Sequence, residues 1–408
     1  MNGEVQRLLR ARDTAFRFGD ALRAARRDLQ AGVTWAKRAH ADKIQSHFAS
    51  NDPRSMWQGI KAIIGYNRKN TVSPWDPSLP DSLNAFYARF EPADPPRTRL
   101  TNPEGELPSF SVSADDVRKT LQRINPHKAA EPDNIPGRVL KACAHELTEV
   151  WTDIFNTSLP QAVVPVCLKT SSIVPVPKCA AVRSMNDYRP VALTLIVMKC
   201  FERLVMDHIK EKVDINVDPD QYVYRRNRSV EDAISPVIHS ALTHLESRDT
   251  YVRLLFLDFS SAFNTIDLQI LVNKLLPLGL PPSLCNWVLD FLTHRPQTVR
   301  IHGVSSSTII NTGSPQGCVL SPLFYTLLTY DCSAKHPGSR IVKFADDTVV
   351  VGQISHGDES AYRQEVEDLV DWCRDNNLCI NVGKTKEMVW TSGEVTTPPP
   401  TSTSEEKL

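Results

Sequence analysis

Two adjacent carboxylates, Asp346 and Asp347, stand between the largely apolar runs 341–344 and 348–351. That pattern reads as strand, tight turn, strand, with both acids at the tip. Like charges on one rigid hairpin raise each other's energy unless a cation neutralises them. Hard divalent cations such as Mg²⁺ take oxygen ligands of this kind, so the pair points to metal-assisted phosphoryl chemistry. An Asp-Asp turn is also a common solvated loop, and a third acid is needed to separate the two readings. Asp258 supplies it, closing the largely apolar run 251–257. A near-continuous apolar run fits a buried central strand. Asp258 would then stand at its C-terminal end, although capping a following helix is an alternative role that Ser260 or Ser261 could fill equally well. If the two strands are neighbours, Asp258 and Asp346 can share two metal ions about 3.5–4 Å apart. One ion would activate a 3′ hydroxyl and the other would stabilise a leaving pyrophosphate.

The elements that must position these acids follow from punctuation and periodicity. Between them lies Gly313-Ser314-Pro315-Gln316-Gly317, a shaped loop. Its glycines would let backbone approach a nucleotide or template base, and Gln316 offers both a donor and an acceptor. Ser321 and Pro322 suit the N-cap and first position of a helix over 323–328. Helices are expected over 1–50, 57–64, 136–156, 198–212, 229–245 and 362–376, with Ser113 capping another through Ile124. Residues 160–177 read as extended. The eight prolines within 70–110 suggest a linker interrupted by a helix near 82–90.

The 408 residues carry no net charge, which conceals an asymmetry. Residues 1–70 hold 14 Lys and Arg against 6 Asp and Glu. Arg7, Arg10, Arg17, Arg23, Arg26 and Arg27 could line a phosphate-facing side, or form a basic surface helix. Nine cysteines without paired spacing indicate neither a zinc site nor a disulfide framework. The expectation is an intracellular protein, cytoplasmic or nuclear, with no signal peptide and no membrane span.

Taken together, the segments resemble the reverse transcriptases of LINE-type, non-LTR retrotransposons. Residues 256–264 look like the first catalytic block, 313–317 the second, Phe344-Ala345-Asp346-Asp347 the third and 381–386 the fourth. Residues 173–178, 186–193 and 221–229 look like finger blocks. The resemblance implies an α/β (α+β) right-hand fingers and palm fold with an antiparallel palm sheet. It divides the chain into a basic helical extension (1–70), a Pro-rich linker (71–110), fingers and palm (111–390) and an unstructured tail (391–408). It implies an RNA-directed DNA polymerase with two Mg²⁺ ions (Mn²⁺ an alternative), an RNA template, a DNA primer and dNTPs.

By the same resemblance, Asp258, Asp346, Asp347 and the backbone carbonyl of Phe259 would hold the metals. Phe263 occupies the sugar-gate position, and Gln316 and Gly317 would touch the nucleotide or its template base. Lys178 and Arg189 would face the triphosphate, and Lys384 would protonate pyrophosphate. Arg225 and Arg228 would face template phosphates or form internal ion pairs. No match to the family's thumb, primer grip or endonuclease is expected here, which suggests a partial copy. Glu131, Arg226 and Val230 depart from the family pattern. A catalytically idle remnant, or a nucleic-acid-binding protein using the basic arm, is the alternative.

Overall fold

The computed structural model describes residues 7–8, 11, 19–49, 76–91, 98–101, 110–127, 132–179, 182–213, 218–223, 225, 228–301, 303–391 and 395–396. The chain divides into two compact units, Met1–Val72 and Ser73–Leu408. In the first, helix α1 (Gly19–Ala49) exposes Arg26, Arg27, Lys37 and Arg38. Arg10, Arg17 and the helix expected over 57–64 lie outside the described residues.

The second unit mixes helices and sheets. In chain order it holds α2 (Leu79–Tyr87), α3 (Ala114–Gln122), α4 (Gly137–Ala142), α5 (Ala144–Gln161), α6 (Val166–Lys169), β1 (Ser171–Pro177), β2 (Tyr188–Thr194) and α7 (Ile196–Lys212). There follow α8 (Val230–Leu245), β3 (Thr250–Leu257), α9 (Leu268–Leu275), α10 (Pro282–Leu292), β4 (Arg295–Val299), β5 (Thr308–Ile310) and α11 (Ser321–Leu328). Last come β6 (Ser339–Phe344), β7 (Asp347–Ser355), α12 (Ser360–Asp375), β8 (Lys386–Trp390) and β9 (Val395–Thr396). No helix among the described residues is long and apolar enough to cross a membrane.

The expected antiparallel palm sheet is present, with strand order β6-β7-β3-β8-β9. Central β3 is covered on both faces along most of its length, with Phe256 left 40% exposed. Val252 and Leu254 pack with Ala241 of α8 and Val351, while Leu255 and Leu257 join the main core. Two covered faces explain why β3 reads as a continuous apolar run and not as an alternation. The second sheet runs β2-β1-β4-β5, with β1 and β4 parallel and the other pairs antiparallel. Leu83 and Tyr87 of α2 pack on it, sharing a cluster with Ile173, Tyr188, Ala192 and Val299. The helix expected near 82–90 is therefore α2, and it forms part of the body.

Several local expectations are corrected. No helix starts after Asp258; the next is α9, capped by Asp267, which accepts from Gln269 and Ile270 N–H at 2.8 and 2.9 Å. The helix expected over 136–156 breaks at Cys143 into α4 and α5. α5 then runs through Pro160, which has no N–H to give the carbonyl four residues back, and stops at Ala162 (φ 51°). Ser113 does cap α3, accepting from Asp116 N–H at 3.1 Å. Asn134 takes the left-handed turn (φ 56°), while Glu131 and Arg226 lie outside the described residues. Within the expected tail, Val395 and Thr396 pair with Trp390 and Val389, because β8 offers an open edge.

α11 begins at Ser321, with Leu320 as its N-cap. The Ser321 hydroxyl is spent instead on Pro315 carbonyl at 2.7 Å. The free N–H groups at this helix start are met from across the core by Glu202 of α7. Its Oε2 accepts from Val319 and Leu320 N–H at 2.6 and 3.0 Å. A carboxylate suits the positive end of a helix, yet Glu202 is wholly buried, and burial pushes its carboxyl up to about 7 against those two bonds.

Two predictions follow from these buried groups. Lys343 and Asp218, with side chains 2% and 5% exposed, form an ion pair at 2.6 Å. Asp218→Ala strands the ammonium and should cost about 3–5 kcal/mol in denaturant unfolding. Glu202 has a folded pKa above its ordinary 4.5. Its contribution is thus complete below pH 4.5 and lost as pH rises through 7. Between pH 5 and 8 the wild type should lose about 2–3 kcal/mol from this group. Glu202→Gln, unable to ionise, should lack that part of the slope in urea unfolding at the two pH values.

Candidate active site

The acids meet because of register. In β3–β7 pairing Leu257 stands opposite Thr348, so the next step sets Asp258 level with Asp347. In β6–β7 the closing pair is Phe344 and Asp347, leaving Ala345 and Asp346 as a two-residue turn. Ala345 has φ 59°, which a residue bearing a Cβ adopts at a cost of about 1–2 kcal/mol. Gln221 helps hold this strained turn. Its side chain is fully buried and its Oε1 accepts from Ala345 N–H at 3.2 Å. The segment around it bridges the edge strand through Lys343 N–H to Asp220 carbonyl (2.8 Å) and Tyr222 N–H to Lys343 carbonyl (3.0 Å). Asp220, Gln221 and Tyr222, at the start of a stretch read as a finger block, thus splint the acidic hairpin.

The fourth block folds over Asp258. Asn381 N–H donates to Asp258 carbonyl at 2.7 Å, and its side-chain amide donates to Asp258 Oδ2 at 3.0 Å. The Asn381 carbonyl closes a turn by accepting from Lys384 and Thr385 N–H. That turn brings Lys384 Nζ to 3.3 Å from Asp258 Oδ2. Ser260 N–H to Cys379 carbonyl completes the bridge between the two segments and leaves the Phe259 carbonyl outside it. Burial first, then Asp346 and Asp258, raise the Asp347 carboxyl above its usual range. That mutual influence is the signature of acids sharing one site.

The glycine loop joins this end of the palm sheet to β2. Gly313 (φ 65°) lies against the turn after Asp258; a Cβ there would meet Asn264 carbonyl oxygen at 2.6 Å. Gly317 (φ 130°) lies against β2, where a Cβ would meet Ala192 carbonyl oxygen at 2.5 Å. Gln316 carbonyl accepts from Ala192 N–H at 2.7 Å. The close approach inferred for these glycines is thus made to the protein's own backbone. Phe263 is positioned by the same turn and packs on Tyr325 with ring centroids 5.1 Å apart.

A cleft of about 810 Å³ collects these groups. Asp258, Asp346, Asp347, Phe259, Phe263, Gln316, Gly317, Lys178, Arg189 and Lys384 all line it. Lys178 N–H donates to Asp187 carbonyl at 2.7 Å, and its ammonium to Asn186 carbonyl at 2.6 Å. Burial, then Lys384 and Arg189, pull the Lys178 ammonium below its usual range, opposed by Asp187 and Asp258. A cationic group therefore faces an acidic one within one cavity. Arg225 and Arg228 do not line the cleft. Arg225 donates to the Asp218 carbonyl, and Arg228 contacts Asp232 at 3.8 Å.

Oxygen donors of this number and hardness suit a divalent cation, although among the described residues no three His, Cys, Asp or Glu side chains stand arranged to hold one. The sequence reading missed the roles of Gln221 and Asn381, and missed Phe86, Tyr87 and Arg89, which bring α2 and the residues after it to the cleft.

Comparison with known proteins agrees with this geometry. The RNA-directed DNA polymerase from mobile element jockey of Drosophila funebris is 26% identical over 299 residues, covering 70% of this chain and 32% of the relative. A probable RNA-directed DNA polymerase from transposon X-element of Drosophila melanogaster is 27% identical over 307 residues, covering 72% and 33%. The chain thus spans about a third of the length of these relatives. A telomerase from Candida tropicalis, solved with a fragment of telomeric RNA, aligns at TM-score 0.42 and 11% identity over 60% of this chain and 46% of that one, too distant to bear on function. The model of the family described as reverse transcriptase (RNA-dependent DNA polymerase) matches residues 176–403. With more than half of its length matched and its three carboxylates gathered in one cleft, the chain belongs to the reverse transcriptase family.

Proposed function

We propose that this chain carries the fingers and palm of the RNA-directed DNA polymerase of a non-LTR retrotransposon. It would extend a primer 3′ hydroxyl with deoxynucleotides on an RNA template. The observation that carries the reading is the meeting of three carboxylates with Lys178, Arg189 and Lys384 in one cleft. Two Mg²⁺ ions, or Mn²⁺ in their place, would be held by Asp258, Asp346, Asp347 and the Phe259 carbonyl; when bound they acidify the attacking hydroxyl and offset charge on the leaving group.

The chain's own residues do the rest. Asn381 orients the Asp258 carboxylate, and Gln221 holds the turn that presents Asp346. Lys178 and Arg189 clamp the triphosphate, where positive charge stabilises the transferring group. Lys384 Nζ donates the proton that pyrophosphate takes up on leaving. Phe263, fixed against Tyr325, blocks a ribose 2′ hydroxyl. Gln316 and Gly317 back the nucleotide and its template base. Arg228, with its side chain 49% exposed, a 3.8 Å contact to Asp232 and its guanidinium 5.9 Å over the Tyr222 ring, would exchange the Asp232 contact for a template phosphate.

Primer extension on an RNA template with dNTPs and Mg²⁺ tests this reading. Asp258→Ala and Asp346→Ala should each lower the rate at least about a hundredfold, as loss of a principal charge-stabilising group does. Equal rates in wild type and both variants would mark the cleft as idle. Phe263→Val should raise ribonucleotide incorporation relative to deoxynucleotide on the order of tenfold, read from competition between the two nucleotides. An unchanged ratio would remove Phe263 from the sugar gate.

A further inference from the structure

Arg89, two residues past α2, is held with unusual rigidity for an exposed cation. Its guanidinium carbon stands 3.8 Å from the Phe86 ring centroid and 4.1 Å from that of Phe90. One terminal nitrogen donates to Phe86 carbonyl at 2.6 Å, the other to Ser261 Oγ at 3.3 Å. Two rings and two hydrogen bonds fix the plane of the group before any ligand arrives, which removes much of the ordering cost of binding. Phe86, Tyr87 and Arg89 line the same cleft as the acids, next to the turn that follows Asp258.

Among the described residues no carboxylate pairs with Arg89. Glu91, two positions away, is spent on Asn311 and Thr312 N–H at 2.7 and 2.8 Å. Burial draws the guanidinium below its ordinary value, with Tyr87 opposing. A partly desolvated cation without a counter-charge is costly in isolation and suited to an incoming anion. A guanidinium has five N–H donors in a planar fork that matches phosphate, and two of them serve the bonds above.

Which phosphate is decided by position. Lys178 is hydrogen-bonded to Asn186 and Asp187 and Lys384 stands at Asp258, whereas the contacts of Arg89 are Phe86, Phe90 and Ser261. Arg89 is anchored instead to Ser261, three residues past Asp258, and to the Phe86 carbonyl. We infer that Arg89 binds a backbone phosphate of the nucleic-acid strand lying in the cleft, so that α2 and residues 86–90 form a strand-holding wall. This rests on reading the cleft as a polymerase site. The substrate triphosphate is the competing source of the same chemistry.

The test is equilibrium binding of the full chain to an RNA template annealed to a DNA primer, without dNTPs, across 50 to 200 mM salt. Losing one phosphate contact should reduce the slope of log affinity against log salt by about 0.7 to 0.9. Arg89→Gln, which keeps a donor for Phe86 carbonyl, should show that reduction with a several-fold loss of affinity and an unchanged KM for dNTP. Arg89→Lys should keep the slope, because the charge remains. An unchanged slope and affinity in Arg89→Gln would overturn the assignment. So would intact nucleic-acid binding with a raised KM for dNTP, which would move Arg89 to the triphosphate. Wild-type binding without primer extension would defeat the polymerase reading alone and leave the Arg89 outcome to the salt slopes. A wild type that does not bind the template–primer overturns both.

Discussion

Repulsion among three carboxylates is the constraint to which the rest of this site answers. Asp258, Asp346 and Asp347 are carried to one end of one sheet by strand register, and Asp347 is raised by burial and by its two neighbours. The protein offsets this in stages. Asn381 and Lys384 attend to Asp258 directly. Lys178 and Arg189 bring further positive charge into the same cleft. The hairpin that holds the other two acids is strained at Ala345, and Gln221 and the buried Lys343–Asp218 pair stiffen it from behind. Weakening any of these supports lets like charges relax apart, which is why so much buried polar chemistry surrounds a short turn.

The second organising feature is the backbone stitch made by residues 313–317. Its two glycines touch two different elements, the turn after Asp258 and strand β2. A side chain at either end would push those elements apart by contact distances well inside van der Waals limits. The loop therefore sets the spacing between the acids on the palm sheet and the cations near the end of the neighbouring sheet. Glu202, buried under the loop, secures its far end by accepting the first free N–H groups of α11. Cleft-lining groups from several separate stretches of chain thus share one rigid scaffold, as the proposed transfer chemistry would need.

Legibility in the sequence followed the range of the interaction. Asp258, Asp346, Asp347 and Gln316 could be picked out from their local pattern, and Lys178, Arg189, Phe263 and Lys384 from the resemblance of their blocks to the family; all of them line the cleft. Gln221, Asn381, Glu202 and Arg89 could not be assigned a partner from sequence. Their contacts span 124, 123, 117 and 172 residues, beyond any local window. In the stretch 71–110 the sequence indicated a helix near 82–90 but not what it packs against. The prolines there advertise a linker, while the apolar residues of α2 become meaningful only against a sheet built from residues 171–310.

By itself, the sequence determined the kind of chemistry and most of the elements that carry it, because apolar periodicity, turn residues and paired acids are local signals written in residue type. It also carried the central position of β3, whose near-continuous apolar run fits a strand covered along most of both faces. Only the tertiary structure decided how the acids are restrained, which cations face them, and that a helix in a proline-rich stretch supplies part of the cleft wall. Those outcomes depend on hydrogen bonds and ion pairs between distant segments, whose strength is set by burial. Burial is a property of the packed whole and of no residue alone.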